Sequence, residues 1–152
     1  MVVLFTLAGV VAPRFSNFFP ALQVRESADQ ILAWALKARS DAATTGLRHR
    51  LVFNPSARKY WIEIEANPFK ESGKFTVLRG AWGEEILPDD VTLQLAEGFD
   101  GDGTKAHLEF LPDGTTDDAA IVVSNEQGDT RTIRVIGATS RVFIEPPPEV
   151  RP

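Results

Sequence analysis

The sequence predicts an α+β fold in which one long N-terminal helix packs against antiparallel strands. Between residues 16 and 45 the apolar residues recur at steps of three and four, the period of a helix with one buried face. After Gly46 the apolar residues alternate at every second position, as they do in strands with one buried face. Turn sequences rich in glycine, proline, asparagine and aspartate separate these alternating runs, so the strands are expected to be antiparallel.

The helical segment carries one apolar stripe and ends at a glycine. Alanines dominate the stripe, so we expect a sheet to approach the helix axis closely. Gly46 is the expected terminator, because glycine adopts the left-handed conformation at a helix end at little cost. The stripe consists of Val24, Ala28, Ile31, Leu32, Ala35, Ala38 and Ala42.

Eight strands are predicted after the helix. The first two flank a turn at residues 54–58 and are expected to form a hairpin. A glycine-rich loop at residues 98–103 and turns at 112–114 and 125–128 separate the later strands. The predicted strands are residues 51–53, 60–65, 74–79, 91–95, 106–110, 120–124, 131–136 and 141–144.

Composition indicates an ordinary globular chain of one domain and excludes several kinds of binding and catalytic site. The 152 residues are 43% hydrophobic and 24% charged, which suits a folded protein with a sizeable core. The net charge of -5 argues against a general affinity for nucleic acid. The chain contains no cysteine, which excludes disulfides, thiolate catalysis and cysteine metal sites, and it contains two histidines.

An apolar run at residues 1–12 precedes the helix with no linker. A membrane crossing needs roughly 20 apolar residues, so this run is too short to cross a bilayer alone. No basic residue precedes Arg14, and a proline follows Ala12, so the run does not fit a secretory signal peptide. We therefore expect it to be the end of a longer helix that lipid or partner subunits cover. The candidate assembly residues are Val2, Val3, Leu4, Phe5, Leu7, Val10, Val11, Pro13 and Phe15.

Two aspartates in the glycine-rich loop have the spacing of calcium ligands. Asp100, Asp102 and Thr104 match the first ligand positions of an EF-hand loop. Lys105 and Leu111 stand where that motif requires a glycine and a bidentate glutamate, so a plain turn is the stronger expectation. No metal ion and no cofactor are therefore predicted for this chain.

Catalysis is not expected, because no nucleophile elbow is present and neither histidine has a zinc-type spacing. His49 is expected at the surface near the start of a strand, and His107 on the polar side of its strand. Among the tryptophans, Trp34 is expected to pack against the sheet and Trp61 to be partly exposed. Trp82 is expected to be an exposed loop aromatic that suits a subunit interface.

Short segments spread over nearly the whole chain occur together, in this order, in one known family. They include the apolar helical segment that is followed by Pro13-Arg14-Phe15, and a C-terminal block of strands and turns. The segments are residues 13–15, 28–42, 50–53, 108–116, 132–135 and 139–142. In content and order they resemble the H-type minor pseudopilins of type II secretion systems and their FimT-like relatives among the type IV pilins.

The resemblance implies a pilin-like fold and a structural role in a filament. It implies a single-pass protein of the bacterial inner membrane whose head lies in the periplasm. Its partners would be other major and minor pseudopilins at a filament tip, the inner membrane and secreted cargo, with nucleic acid not expected. We divide the chain into a helix at 1–46, of which 1–12 is a truncated membrane or assembly segment, a β-rich head at 47–145, and a proline-rich tail at 146–152.

Two features depart from the family. Such subunits carry a basic leader ending in glycine and then Phe-Thr-Leu-x-Glu, and alignment on Pro13 places both upstream of Met1. Residues 5–7 match the start of that motif, but they lie too close to Pro13, and Gly9 stands where the glutamate is expected. We therefore hypothesise that Met1 is an internal start, which translation of about 20 preceding codons will test. Ser140 replaces the usual glycine of a Thr-Gly-Arg turn.

The alternative function is DNA uptake, because some FimT-like minor pilins bind DNA through basic residues near the C-terminus. Arg131, Arg134 and Arg141 are the candidate patch. Glu145 and Glu149 flank the same region and oppose phosphate binding. A free-standing periplasmic binding module is a third interpretation, and it would require that no leader precedes the chain.

Overall fold

A computed structural model describes residues 18–146 of the chain. Within these residues one long helix is followed by ten strands in two antiparallel sheets, as the sequence predicts for the fold class. The helix is α1 (Phe18–Thr45), and a short 3-10 turn (Gly137–Thr139) precedes the last strand. The strands are β1 (His49–Asn54), β2 (Lys59–Ile64), β3 (Thr76–Val77), β4 (Glu84–Ile86), β5 (Val91–Glu97), β6 (Asp100–Gly101), β7 (Ala106–Phe110), β8 (Ala119–Asn125), β9 (Thr130–Ile136) and β10 (Arg141–Ile144).

α1 is anchored by the predicted stripe of alanine and aliphatic side chains. Its 28 residues span about 42 Å at 1.5 Å per residue. Gly46 ends the helix with a φ of +70°, and its N–H donates to the Ala42 carbonyl at 3.0 Å. Among the described residues no helix is both long enough and apolar enough to cross a membrane. The buried members of the stripe are Val24, Ala28, Ile31, Ala35, Ala38 and Ala42, and Leu32 is partly buried.

The first sheet has the strand order β3-β2-β1-β7-β6, and β4 also pairs with β2. β1 and β2 form the predicted hairpin, in which Leu51 lies opposite Ile62 and Phe53 opposite Tyr60. On its other side Leu51 lies opposite Leu108 of β7. Because these positions share one face of the sheet, their side chains form one wall of the core.

The second sheet has the strand order β10-β9-β8-β5. Ile121 and Val123 of β8 and Ile133 and Val135 of β9 are completely buried on its inner face. α1 packs against β1 of the first sheet and against β8, β9 and β10 of the second. A single core therefore lies between the helix and the two sheets, and the apolar stripe of α1 forms one wall of it.

An aromatic cluster joins α1 to the first sheet. The Trp34 ring meets the Tyr60 ring edge-on at a centroid distance of 5.1 Å and the Trp82 ring at 5.2 Å. Trp34 is 4% exposed, as predicted for a side chain packed on the sheet. The prediction that Trp82 is exposed was wrong, because its ring is partly buried against Trp34 and lies under the Lys37 ammonium.

The edges of the first sheet differ from the predicted strands. Residues 74–79 were predicted as one strand, but only the two residues of β3 pair with β2. The Leu78 N–H still donates to the Ile62 carbonyl at 2.8 Å, and Gly80 then turns the chain with a φ of +104°. That turn brings Trp82 to the core. β4 and β6 were not predicted, since each is a short pairing that depends on an adjacent strand.

Candidate assembly interface

The predicted assembly residues from Val2 to Phe15 lie outside the described residues, so their role stays a prediction. The described helix begins three residues after Phe15, at Phe18. Phe19, in its first turn, is 69% exposed. An exposed aromatic side chain at this end of α1 continues the apolar character of the preceding run onto the described helix.

The three candidate arginines near the C-terminus do not share one face of the second sheet. Arg131 and Arg134 lie three positions apart on β9, so their side chains leave opposite faces of the strand. Arg134 donates to the Glu145 carboxylate at 2.7 Å, and this partner raises the pKa of the Arg134 guanidinium. Arg141 is exposed and its guanidinium lies 5.4 Å from the Phe143 ring centroid. Counting residues 18–146 alone, the outer face of the second sheet therefore carries one paired arginine and one arginine without an ion pair, which is little positive charge for binding a phosphate backbone.

Of the two candidate calcium ligands, Asp102 stabilises a turn and Asp100 lies in a strand. The Asp102 carboxylate accepts hydrogen bonds from the N–H groups of Thr104 and Lys105, each at 2.9 Å. These N–H donors lower the pKa of Asp102. Asp100 lies in β6, opposite His107. Within residues 18–146 no group of three or more histidine, aspartate or glutamate side chains is arranged to hold a metal ion.

The two histidines occupy different environments. The prediction that His49 is exposed was wrong, because it is 1% exposed on the inner face of β1. Its Nδ1 lies 3.0 Å from the Leu47 carbonyl oxygen, which provides a polar partner inside the core. His107 lies on the outer face of β7, as predicted, opposite Val52. Burial, together with the Arg50 charge, lowers the pKa of His107.

Trp61 lies on the outer face of the first sheet but is 6% exposed. The prediction that it is partly exposed for a contact role was therefore wrong. The Lys105 ammonium covers the ring at 5.2 Å from its centroid, and the indole N–H donates to Glu63 at 2.8 Å. The β6–β7 loop thus shields this tryptophan within the subunit.

An ionic network on the outer face of the first sheet was missed by sequence reasoning. Arg48 donates from Nε and Nη2 to the two carboxylate oxygens of Glu65, at 2.6 Å each. Its Nη1 donates to Glu109 at 3.0 Å, and Arg50 donates to the other Glu109 oxygen at 3.0 Å. The Arg50 guanidinium also lies 3.5 Å from the centroid of the Phe75 ring. The network ties three strands and the β2–β3 connection together.

Part of this ionic network could have been predicted from the sequence. Arg48 and Arg50 flank His49, the first residue of β1, and Glu65 directly follows β2, the strand that pairs with it. A hairpin register therefore brings opposite charges to one face. The third member, Glu109, comes from β7, and its contact with both arginines requires the position of β7 beside β1.

We predict that Glu65→Gln lowers the free energy of unfolding by about 2 kcal/mol at neutral pH, since a buried charged hydrogen-bond pair is lost. Glu65 is 1% exposed, and its carboxylate also accepts from the Gly73 N–H at 2.5 Å. The Arg48 side chain stays partly solvated and keeps Glu109, which limits the loss. Urea denaturation at several pH values measures the effect.

The stability that Glu65 contributes to the fold is lost at acid pH. The Arg48 guanidinium, and then the Gly73 N–H, lower the pKa of Glu65 in the folded chain. Its contribution is complete above the pKa of a glutamate in an unfolded chain, about 4.3, and is lost as the pH falls through the lower folded pKa. Glu65→Gln should therefore flatten the acid limb of the stability curve. Glu71→Gln, at an exposed pair with Lys74, is the control, and an equal loss there would contradict the prediction.

The architecture is the pilin-like α+β fold, with a long helix packed against antiparallel sheets. No protein-family model and no curated protein sequence matches the chain. Solved structures do match it. The minor pseudopilin EpsH from the type 2 secretion system of Vibrio cholerae superposes with a TM-score of 0.67 at 11% identity, over 84% of this chain and 99% of that one.

Two further structures support the same fold. The solution structure of GspH from E. coli superposes with a TM-score of 0.62 at 16% identity, over 87% of this chain and 94% of that one. The type IV minor pilin FimU of Pseudomonas aeruginosa superposes with a TM-score of 0.56 at 17% identity, over 81% and 88% of the two chains. At these identities the comparisons establish the shared fold of minor pseudopilins and minor pilins.

Proposed function

We propose that the chain is a structural minor pseudopilin subunit of a type II secretion pseudopilus. The observation that carries the proposal is the match to EpsH, whose superposition covers 99% of that chain with a TM-score of 0.67. The sequence resemblance at residues 108–116 and 139–142 points to the same H-type group. The apolar run directly before α1 supports a subunit whose helix continues into a membrane or a filament core.

In this function the N-terminal helix supplies association and the head selects neighbours. Burial of apolar surface contributes about 25 cal/mol per Å². The apolar residues of the first dozen positions would therefore be buried in lipid before assembly and against neighbouring helices afterwards. The head, which includes the described part of α1, would lie in the periplasm and contact other pseudopilins or cargo. Its role is to fit and contact neighbouring proteins, and it would catalyse no reaction on a substrate.

Val10→Asp tests the proposal in the full-length chain, expressed with its upstream codons in its own host. Val10 lies near the end of the apolar run, where a carboxylate costs about 1.5 kcal/mol, roughly half of its cost at a helix centre, so the membrane-bound fraction should fall about tenfold. Co-purification with the other pseudopilins should fall with it. Both quantities are measured by fractionation and by pull-down of a tagged chain.

Val10→Leu is the matched control, because it keeps an aliphatic side chain at the same position and should behave like the natural chain. The proposal fails if the natural chain stays in the soluble periplasmic fraction, or if Val10→Asp joins the other subunits as well as Val10→Leu does. DNA retention at physiological salt that is lost in Arg134→Ala and Arg141→Ala would favour the uptake function in its place.

A further inference from the structure

Within residues 18–146, β5 is the longest edge strand of the two sheets. It pairs with β8 on one side, and no backbone hydrogen bond from residues 92–97 goes to any other described segment. Alternate residues of an edge strand direct their N–H and C=O groups away from the sheet. The edge strands β3, β4 and β6 have two or three residues each, and β10 has four. β5 therefore presents the longest row of backbone groups that a further strand could pair with.

β5 lacks the features that usually protect an edge strand. Natural edges carry lysine, proline, an inward-pointing charge or a bulge, each of which hinders pairing with another chain. Residues 91–95 contain none of these, and their pairing with β8 is regular until a bulge at Ala96. β10, by contrast, begins at the exposed Arg141 and is followed by Glu145 and Pro146. We call residues 91–95 the open edge, and its length is that of an ordinary strand.

The side chains of the open edge fix its position and define what could pair with it. Val91 is completely buried and Leu93 is 8% exposed, and both belong to the core. Thr92 and Gln94 are exposed on the outer face, where the Thr92 and Ser124 hydroxyl oxygens lie 3.1 Å apart. A strand added beside β5 would continue both faces of the sheet. Its residues would therefore alternate between aliphatic and polar side chains.

Both ends of the open edge are acidic. Asp90 directly precedes β5 and Glu97 ends it, and both side chains are exposed. Neither carboxylate forms an ion pair with a residue in the described part of the chain. Arg58, close to the first end, and Arg134, close to the second, already hold other carboxylates at 2.8 and 2.7 Å. The charge distribution therefore suits a segment with a basic residue near each end.

We propose that the open edge binds an extended segment of a different pseudopilin as an added strand of the second sheet. The segment has about five alternating aliphatic and polar residues and a lysine or arginine near each end. Main-chain hydrogen bonds supply affinity, and the terminal charges set the register. A second copy of this chain does not offer such a segment, because β9, which carries Arg131 and Arg134, is already paired with β8 and β10. The contact rests on the proposed function, since it assigns one surface of the head to a neighbour in the pseudopilus.

Amide hydrogen exchange of the full-length chain in detergent tests the contact. The probes are the other pseudopilins of its host, each purified in the same detergent. In the free chain the N–H groups of the open edge that point away from β8 should exchange fast, because water reaches them. In the complex these N–H groups should exchange at least about tenfold more slowly, since they donate to the added strand. The amides of β10, at the other edge of the second sheet, are the internal control and should not change.

Charge reversal provides the second test. Asp90→Lys and Glu97→Lys, measured singly, should each weaken binding of that pseudopilin about fivefold, because each then repels a basic end of the segment. Glu126→Lys, in the exposed β8–β9 turn, makes the same charge change away from the open edge and should bind like the natural chain.

Two results would overturn the edge contact while leaving the proposed function in place. One is a complex with another pseudopilin in which the amides of residues 91–95 stay as fast as in the free chain. The other is equal binding by Asp90→Lys, Glu97→Lys and Glu126→Lys. If no pseudopilin binds the natural chain, the proposed function fails together with the contact.

Discussion

Replacing Trp34 by alanine is expected to lower the free energy of unfolding by about 4 kcal/mol, the range for a large aromatic side chain lost from a core. The ring is 4% exposed and lies between Tyr60 and Trp82, at centroid distances of 5.1 and 5.2 Å. Its loss leaves a cavity where α1 meets the first sheet and removes the partner that holds Trp82 in place. Urea denaturation followed by far-ultraviolet circular dichroism measures the change.

Phe69→Ala is the control for Trp34→Ala, because it removes an aromatic ring that is fully exposed in the β2–β3 connection. Its effect should stay below about 0.5 kcal/mol, as for most surface substitutions. Trp34→Phe should keep part of the stability, since a smaller ring still fills much of the space. A loss below about 1 kcal/mol for Trp34→Ala would show that α1 and the first sheet do not depend on this aromatic contact.

Gly98→Ala is expected to lower the free energy of unfolding by about 3 kcal/mol, through backbone strain and overlap together. Gly98 has a φ of +75°, which a side chain disfavours. An added Cβ would overlap the Asp118 carbonyl oxygen and lie 2.8 Å from the Asp118 carbonyl carbon. Because those atoms belong to the backbone before β8, relief requires movement of the β5–β6 turn away from the second sheet.

Gly103→Ala separates the two causes in the Gly98 prediction. Gly103 lies in the same region of the chain with a φ of +89°, but an added Cβ would meet no atom within 4 Å. It should therefore cost about 1 kcal/mol, the strain of the backbone alone. The measurement is the same denaturation experiment, and equal losses at Gly98 and Gly103 would contradict the close approach described for Gly98.

The sequence predicted the helix and the main strands because their signals are local. The apolar stripe of α1 has the helical period, and Gly46 supplies its terminator, so the predicted end at residue 45 is confirmed. The β1–β2 hairpin and the strands β7 to β10 are apolar-rich runs bounded by turn sequences, and each is found within one or two residues of the prediction. β3, β4 and β6 could not be placed well, because two- and three-residue strands depend on the edge that they join.

The candidate interface was less predictable than the fold. His49 and Trp61 were assigned to the surface from their immediate neighbours, yet His49 faces the core and Lys105 covers Trp61. Arg131 and Arg134 were grouped by nearness in the chain, although strand alternation sends them to opposite faces. The cover over Trp61 comes from a distant loop, which alternation along its own strand cannot reveal. Alternation in β1 and β9 does place His49 on the face of Leu51 and does separate the two arginines, and it was not applied to them.

Local period and turn chemistry were enough to establish that this chain combines one long helix with antiparallel strands, because both act over a few neighbouring residues. The family resemblance also came from short segments and their order. The packing of both sheets on α1 determined which charges meet and which aromatic rings are covered. Arg48 meets Glu109 across 61 positions, since long-range contacts follow from the arrangement of whole elements.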